Sequence, residues 1–352
     1  MTRSFVKTAI AQPLDRRRFL ALGAGAGIAA AIPSFPSFRS TRAAQINTPE
    51  QVRLDYAYYN PSSLVLRRHG WLEEALPETE VTWTLSAGSN KANEFVRSNA
   101  IDFGSTAGVA AFVARANGTD QHTIYLYSQP EWTALVVTAD SDIQSVEDLQ
   151  GKKVAATKGT DPYFFLLQSL HAHGLQQSDI EVVNLQHADG KTALERGDVD
   201  AWSGLDPFMA QTEIEQGSRL IYRNIDFNTW GALNAQAAFL DEYPDLVTLV
   251  LGQYERARHW IMDNIEETVQ ILSEEASLSV EVAEKELVER TNFDINPVPG
   301  ATDQASVLET IIPTIEAESQ FTPGANPEEA LATLYRTEFI EAVLADSATP
   351  AS

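Results

Sequence analysis

The spacing of apolar positions in residues 52–138 switches repeatedly between a period of two and a helical period. Residues 52–60 (VRLDYAYYN) alternate as a strand that runs into an aromatic loop, and 63–72 (SLVLRRHGWL) follow as a helix. Residues 81–89 (VTWTLSAGS) predict a second strand and 90–99 (NKANEFVRSN) a second helix. Residues 100–116 (AIDFGSTAGVAAFVARA) compress a short strand, a Gly-Ser-Thr turn and an Ala-rich helix, and 122–128 and 133–138 predict two more strands. The pattern then restarts. GKKVAAT (151–157), EVVNL (181–185), DAWSGL (200–205) and RLIYR (219–223) read as strands with helices between them. One further strand covers 232–240, and roughly 243–345 is acidic and helical by periodicity. Such alternation implies an α/β fold with parallel sheets and right-handed crossovers.

The restart predicts two lobes. Residues 136–229 form a compact α/β insert, residues 45–135 and 230–345 form the other lobe, and 346–352 remain as a tail. Two crossing strands would serve as the hinge, and the helical C-terminal segment would belong to the first lobe. Interfaces between such units are where small ligands bind.

Residues 1–44 differ from the rest. Arg16, Arg17 and Arg18 precede Phe19, Leu20 and a weakly apolar Ala/Gly segment. A basic region before a short apolar one is the order of a signal peptide rather than a membrane span, and adjacent arginines followed by Phe-Leu resemble a twin-arginine export signal. Cleavage is expected near Ala43 or Ala44. The spaced glycines Gly23 and Gly25 approach a dinucleotide fingerprint, but no strand precedes them.

Charge sharpens the picture once that segment is set aside. It holds seven of the 25 Lys/Arg and one of the 49 Asp/Glu, which leaves 18 basic and 48 acidic residues and a net charge of −30. Such a field repels nucleic acid and anionic membrane surfaces. It is tolerated best where salt screens it, as in a saline habitat, although an acidic surface without functional meaning fits nearly as well. The absence of cysteine excludes disulfides, Cys-ligated zinc and thiol nucleophiles. No Walker loop, Gly-x-Ser-x-Gly elbow or His-Glu-x-x-His occurs, and His171 and His173 are spaced to face apart on a helix. No catalytic residue, metal site or cofactor is expected.

In open α/β sheets ligands sit beyond the carboxyl ends of strands, against helix N-termini. Three junctions of that kind stand out. Residues 104–108 (Gly-Ser-Thr-Ala-Gly) offer the hydroxyls of Ser105 and Thr106 with no adjacent carboxylate, which suits an anion. Residues 86–90 place Gly88, Ser89 and Asn90 before a helix, where capping alone would also explain them. The third is KGTDP (158–162), where Pro162 at the first helical position makes Asp161 the expected N-cap and leaves Gly159 and Thr160 facing a cleft. Asp206, Pro207 and Phe208 repeat the Asp-Pro-aromatic pattern at the next strand end. Tyr58, Tyr59, Trp132 and Trp202 stand near these points and could hold an apolar ligand portion, although aromatic residues usually fill cores.

The stretches DYAYYNPSSLVL, GSNKANEFVRSNAIDFGSTAG, YSQPEWTALVV, GKKVAATKGTDPYFFLLQSL and LQHADGKTALERGDVDAWSGLDPFMAQTE resemble the aliphatic-sulfonate-binding proteins of bacterial ATP-driven importers. These belong to the nitrate/sulfonate/taurine group of periplasmic binding proteins, and the likeness runs through essentially the whole chain after the signal segment. It implies the two-lobe periplasmic binding protein type 2 fold, closing on its ligand by hinge motion. Carried over residue by residue, it places Tyr58, Tyr59, Asn60, Ser105, Thr106, Trp132, Gly159, Thr160, Asp161, Trp202 and Asp206 on the cleft. The implied ligand is a short organosulfonate, a small organic anion such as an alkanesulfonate or taurine; an ammonium-bearing sulfonate would give Asp161 or Asp206 a partner. The implied setting is periplasmic, as a monomer that delivers to an ABC permease in the inner membrane, with no nucleic acid partner. Nitrate receptors and sensor modules share this class. The thiamine-pyrimidine synthase branch shares the architecture but depends on a cysteine-rich motif that this chain lacks.

Overall fold

Two mixed sheets organise the computed structural model, which describes residues 47–301 and 304–348. The expected signal peptide lies outside the described residues. In the first sheet β1 (Gln51–Tyr56) runs parallel to β2 (Glu80–Leu85) and β3 (Phe103–Ala107). Strand β10 (Gly231–Gln236) lies antiparallel between β3 and β4 (Gln121–Pro130), and β11 (Thr291–Asn292) pairs with the end of β4. In the second sheet β6 (Lys153–Ala156) runs parallel to β7 (Glu181–Asn184) and β8 (Ala201–Ser203). Strand β5 (Leu135–Val137) is antiparallel to β8 and β9 (Arg219–Tyr222). The antiparallel strands depart from a wholly parallel expectation for a topological reason. The chain leaves the first sheet through β4 and returns through β10, so these two neighbours must run in opposite directions.

Helices α1 (Pro61–His69), α2 (Trp71–Ala75), α3 (Ser89–Arg97) and α4 (Gly108–Ala116) connect the first sheet. Helices α5 (Asp161–Ala172), α6 (His187–Arg196) and α7 (Phe208–Gln216) connect the second. Among the described residues seven more follow β10: α8 (Ala237–Glu242), α9 (Pro244–Asp263), α10 (Ile265–Ala276), α11 (Val280–Glu284), α12 (Gln304–Ala317), α13 (Pro327–Ala332) and α14 (Glu338–Ala348). Among the described residues no helix is long and apolar enough to cross a membrane.

The Gly-Ser-Thr turn expected before α4 is corrected. Residues 104–106 belong to β3, which is fully buried between β1 and β10, and the helix begins only at Gly108. Gly104 answers a packing demand rather than a turn, since a Cβ there would stand 2.7 Å from Cγ2 of Val96 on α3. Packing also decides where the C-terminal helices go. Helices α9, α10 and α14 contribute Leu246, Val250, Leu272 and Ile340 to the core of the first sheet. Helix α5 is buried from Asp161 to Leu170 and needs cover on more than one face. Leu308, Ile311 and Ile315 of α12 share a core with Phe164 and with Phe112 of α4, so the C-terminal segment spans both sheets. Each such side chain contributes on the order of 1.5–3 kcal/mol by burial.

Two glycines test this packing in opposite directions. A Cβ at Gly231 of β10 would lie 2.1 Å from the buried ring of Tyr127, so Gly231→Ala should cost on the order of 1–3 kcal/mol and lower the melting temperature. At Gly252, inside α9, a Cβ meets nothing within 4 Å, and Gly252→Ala should stabilise by up to about 1 kcal/mol. Melting of the two variants followed by circular dichroism separates them, and equal melting points would contradict the described packing.

Candidate functional site

Segments that follow the carboxyl ends of four strands wall a cavity of about 210 Å³ between the sheets. Tyr58 and Tyr59 come from the loop after β1, and Leu85, Ser86 and Ala87 from the end of β2. Gln186, His187 and Ala188 come from the start of α6, and Leu205, Asp206, Pro207 and Phe208 from the connection between β8 and α7. This is the position where ligands bind in α/β sheets. Tyr59 packs edge-on against Trp132, with ring centroids 6.0 Å apart. Both belong to a small buried cluster with Ala57, Ala107, Ala110 and Leu205, which joins the first sheet to the second.

Asp161 is not the N-cap that its place before proline predicts. Thr160 occupies the N-cap position with extended backbone and no capping bond from its side chain, and Asp161 is the first helical residue, 1% exposed. Its carboxylate accepts Trp132 Nε1–H at 2.6 Å, Thr229 N–H at 3.0 Å and the Thr229 hydroxyl at 2.7 Å. Trp132 lies on the outgoing connection between the sheets and Thr229 on the returning one. Asp161 therefore fastens both connections to the start of α5, and all its near donors come from them. Burial pushes its carboxyl up to about 6, against the opposing pull of the Thr229 and Trp132 donors. The Thr229 hydroxyl also accepts the N–H of Val109 at 3.1 Å, while Gly108 N–H donates to Trp230 O. These contacts close the N-terminus of α4.

Ser105, Asn60 and Tyr59 form a second buried network. The Ser105 hydroxyl donates to Asp55 Oδ1 at 2.7 Å and accepts Asn60 Nδ2–H at 2.8 Å. Asn60 Oδ1 caps α1 at Ser63 N–H, and the Tyr59 hydroxyl donates to Ser105 O. Thr106 Oγ1 accepts Asn234 Nδ2–H at 2.7 Å inside the sheet. Burial pushes Asp55 up to about 6, opposed by Ser105 N–H and the Ser105 and Ser86 hydroxyls. The expectation that Ser105 offers its hydroxyl to a ligand is corrected, because that hydroxyl is spent on Asp55; the Thr106 hydroxyl is buried in the sheet and accepts from Asn234.

Asp206 lines the cavity but is also spoken for. Arg290 Nη1 reaches both its oxygens at 3.1 Å, and Ala210 N–H at the start of α7 donates to Oδ1 at 2.8 Å. Arg290 also bonds Glu213 of α7. Arg290 follows a π-helical turn (Lys285–Glu289) beyond α11, so this pairing ties the second sheet to the C-terminal segment. Burial pushes Asp206 up to about 6, with Arg290 opposing. Trp202 lies in none of these places. It is fully buried on β8 in a core with Val136, Leu194 and Met209, pressed so closely that a Cβ at Gly190 would meet Nε1 at 2.6 Å. The expectation of a cleft position for Trp202 is corrected by that packing.

The remaining sites are helix starts. Gly159 adopts φ +79°, a left-handed conformation that suits glycine, and the Thr160 hydroxyl donates to Thr157 O. Ser89 Oγ accepts Ala107 N–H at 3.0 Å. Helices α3, α5 and α6 lack a side-chain cap from their N-cap residues, and no acceptor among the described residues takes the N–H groups of Ser89, Asn90, Gly159, Thr160, His187 or Ala188. The three starts converge. A Cβ at Gly88 would lie 2.8 Å from His187 Nε2, and one at Gly159 would lie 3.7 Å from the Asn90 Cβ. Such N–H groups and the aligned peptide dipoles favour an anion. Among the described residues no group of three or more His, Asp or Glu is placed to hold a metal ion.

Of the predicted site residues, Tyr58, Tyr59 and Asp206 line the cavity. Asn60, Ser105, Thr106, Trp132 and Asp161 stand behind it in bonded networks, and Ser89, Gly159 and Thr160 mark the open helix starts. His187, Thr229 and Arg290 were missed. His187 carried a signal in its place just after a strand, whereas Arg290 lies 84 residues from Asp206 and carried none.

Residues 64–268 match the family described as NMT1/THI5 like. The chain is 27% identical over 256 residues to a protein of Escherichia coli (strain K12) designated an aliphatic sulfonates-binding protein, covering 72% of this chain and 80% of that one. A protein of Bacillus subtilis (strain 168) with the same designation is 28% identical over 230 residues, covering 64% and 69%. The alkanesulfonate-binding protein SsuA from Xanthomonas axonopodis pv. citri, bound to MOPS, superposes with a TM-score of 0.74 at 22% identity, covering 81% of this chain and 98% of that structure. The fold is thus the two-lobe fold of periplasmic binding proteins.

The raised carboxyl of Asp161 has a signed consequence for stability. Its folded value of about 6 exceeds the ordinary 3.8, so the native state holds the proton that the unfolded chain has released. The stability from this group is full below 3.8 and is lost as pH rises through 6. Urea denaturation at pH 4 and pH 6.5 should show a fall across that interval that is smaller in Asp161→Asn by on the order of 1–3 kcal/mol. An unchanged fall would mean that Asp161 ionises as an ordinary surface carboxylate.

Proposed function

The chain belongs to the NMT1/THI5-like family, and from that premise we propose that it is an exported solute receptor of an ABC importer that captures an aliphatic sulfonate between its two lobes. The observation that carries the reading is the cavity between the sheets, with apolar and aromatic walls and three uncapped helix starts converging beside it. The alkyl portion rests against Tyr58, Tyr59 and Leu205, and the sulfonate oxygens take N–H donors from the helix starts. The designation of the two curated relatives supports this, as does MOPS, itself a propanesulfonate, in the Xanthomonas structure.

The same reading covers export and delivery. Arg16, Arg17 and Arg18 with the apolar segment behind them support passage by the twin-arginine route to the periplasm. There the receptor acts as a monomer and hands its ligand to a membrane permease, serving sulfur acquisition. Its role is binding rather than catalysis, in keeping with the names of the relatives. The lobes are expected to close on the ligand about the two connections that Asp161 fastens.

A thermal-shift panel with ethanesulfonate, taurine, nitrate, sulfate and a pyrimidine tests the reading. A ligand at 100 times its dissociation constant should stabilise the protein by about 2.7 kcal/mol. A shift with a sulfonate is the expected outcome. A shift with nitrate or the pyrimidine, and with neither sulfonate, would sink the proposal.

A further inference from the structure

His187 opens α6 on the wall of the cavity and is 1% exposed. Its Nδ1 lies 3.2 Å from Thr157 Oγ1, whose own hydrogen is directed at Leu185 O, 2.7 Å away. The Thr157 oxygen therefore has only a lone pair to offer the ring, and Nδ1 must carry the ring proton. Nε2 is left as a bare acceptor, buried and without a partner. Burial pushes the imidazole down to about 3, so the ring stays neutral across the physiological range. A second acceptor, Asn90 Oδ1, is also buried without a partner, and the two converge on Gly88, where a Cβ would meet them at 2.8 and 2.9 Å.

An unsubstituted alkanesulfonate brings only acceptors and leaves both atoms unmet. Buried acceptors without donors cost free energy that a ligand donor recovers. The carboxylates that might have drawn an ammonium group are already engaged, Asp161 by Trp132 and Thr229, Asp206 by Arg290. We propose that His187 Nε2, together with Asn90 Oδ1, selects sulfonates that carry a hydrogen-bond donor, a hydroxyl or an ammonium group, near the sulfonate. The inference rests on the sulfonate reading and deepens it by naming the substrate class. Gly88 serves the same purpose, because a Cβ there would crowd both acceptors.

Titration calorimetry on the purified protein at pH 7.5 with ethanesulfonate, 2-hydroxyethanesulfonate and taurine decides the matter. At least one donor-bearing ligand should bind about tenfold or more tightly than ethanesulfonate, a difference of about 1.4 kcal/mol. Which of the two it is identifies the donor as hydroxyl or ammonium. In His187→Phe the preference should fall below about threefold, whereas His187→Gln, whose Oε1 supplies an acceptor, should keep most of it. Equal binding of all three ligands to the unaltered protein overturns the inference and leaves the sulfonate reading standing. Binding of none of them overturns both.

Discussion

A buried carboxylate at the head of α5 holds the two lobes in register. Asp161 receives three donors, and all three come from the two segments by which the chain crosses between the sheets. Without it, the Trp132 indole, the Thr229 amide and the Thr229 hydroxyl would be left as buried polar groups, each costing on the order of 1–3 kcal/mol. The α5 dipole favours a negative charge at that end, while burial opposes it. Asp161 thus answers a structural demand where the chain crosses between the two sheets.

The same logic separates occupied polar groups from available ones. Ser105 is engaged by Asp55 and Asn60, Thr106 accepts from Asn234, and Asp206 is held by Arg290 and the Ala210 N–H. Helix α4 is closed by Thr229 and Trp230, and α7 by Asp206. Among the described residues, what stays open at the cleft includes N–H donors at α3, α5 and α6 and acceptors on Gln186, His187 and Asn90. A ligand that answers both kinds of group carries an anion at one end and a donor close by.

The element order was legible because period-two and helical stretches alternate along residues 51–236. The cavity's aromatic edge was legible too, in Tyr58 and Tyr59. Misreadings came where small or polar residues serve packing. Gly104, Ser105 and Thr106 look like a turn but form a central strand, because α3 must approach closely and Asp55 needs donors. Trp202 looked available at a strand end but fills a core against Gly190. Asp161 looked like a cap, and its partners lie 29 and 68 residues away, beyond any local pattern.

A crystal structure of the protein with 2-hydroxyethanesulfonate bound is the most direct measurement of the central claim, that the cavity between the lobes is a sulfonate site. The sulfonate oxygens should lie about 2.7–3.2 Å from N–H groups at the starts of α3, α5 or α6. The hydroxyl should lie within hydrogen-bond distance of His187 Nε2. A ligand seated outside the cavity, or one whose sulfonate contacts none of those helix starts, would contradict that claim.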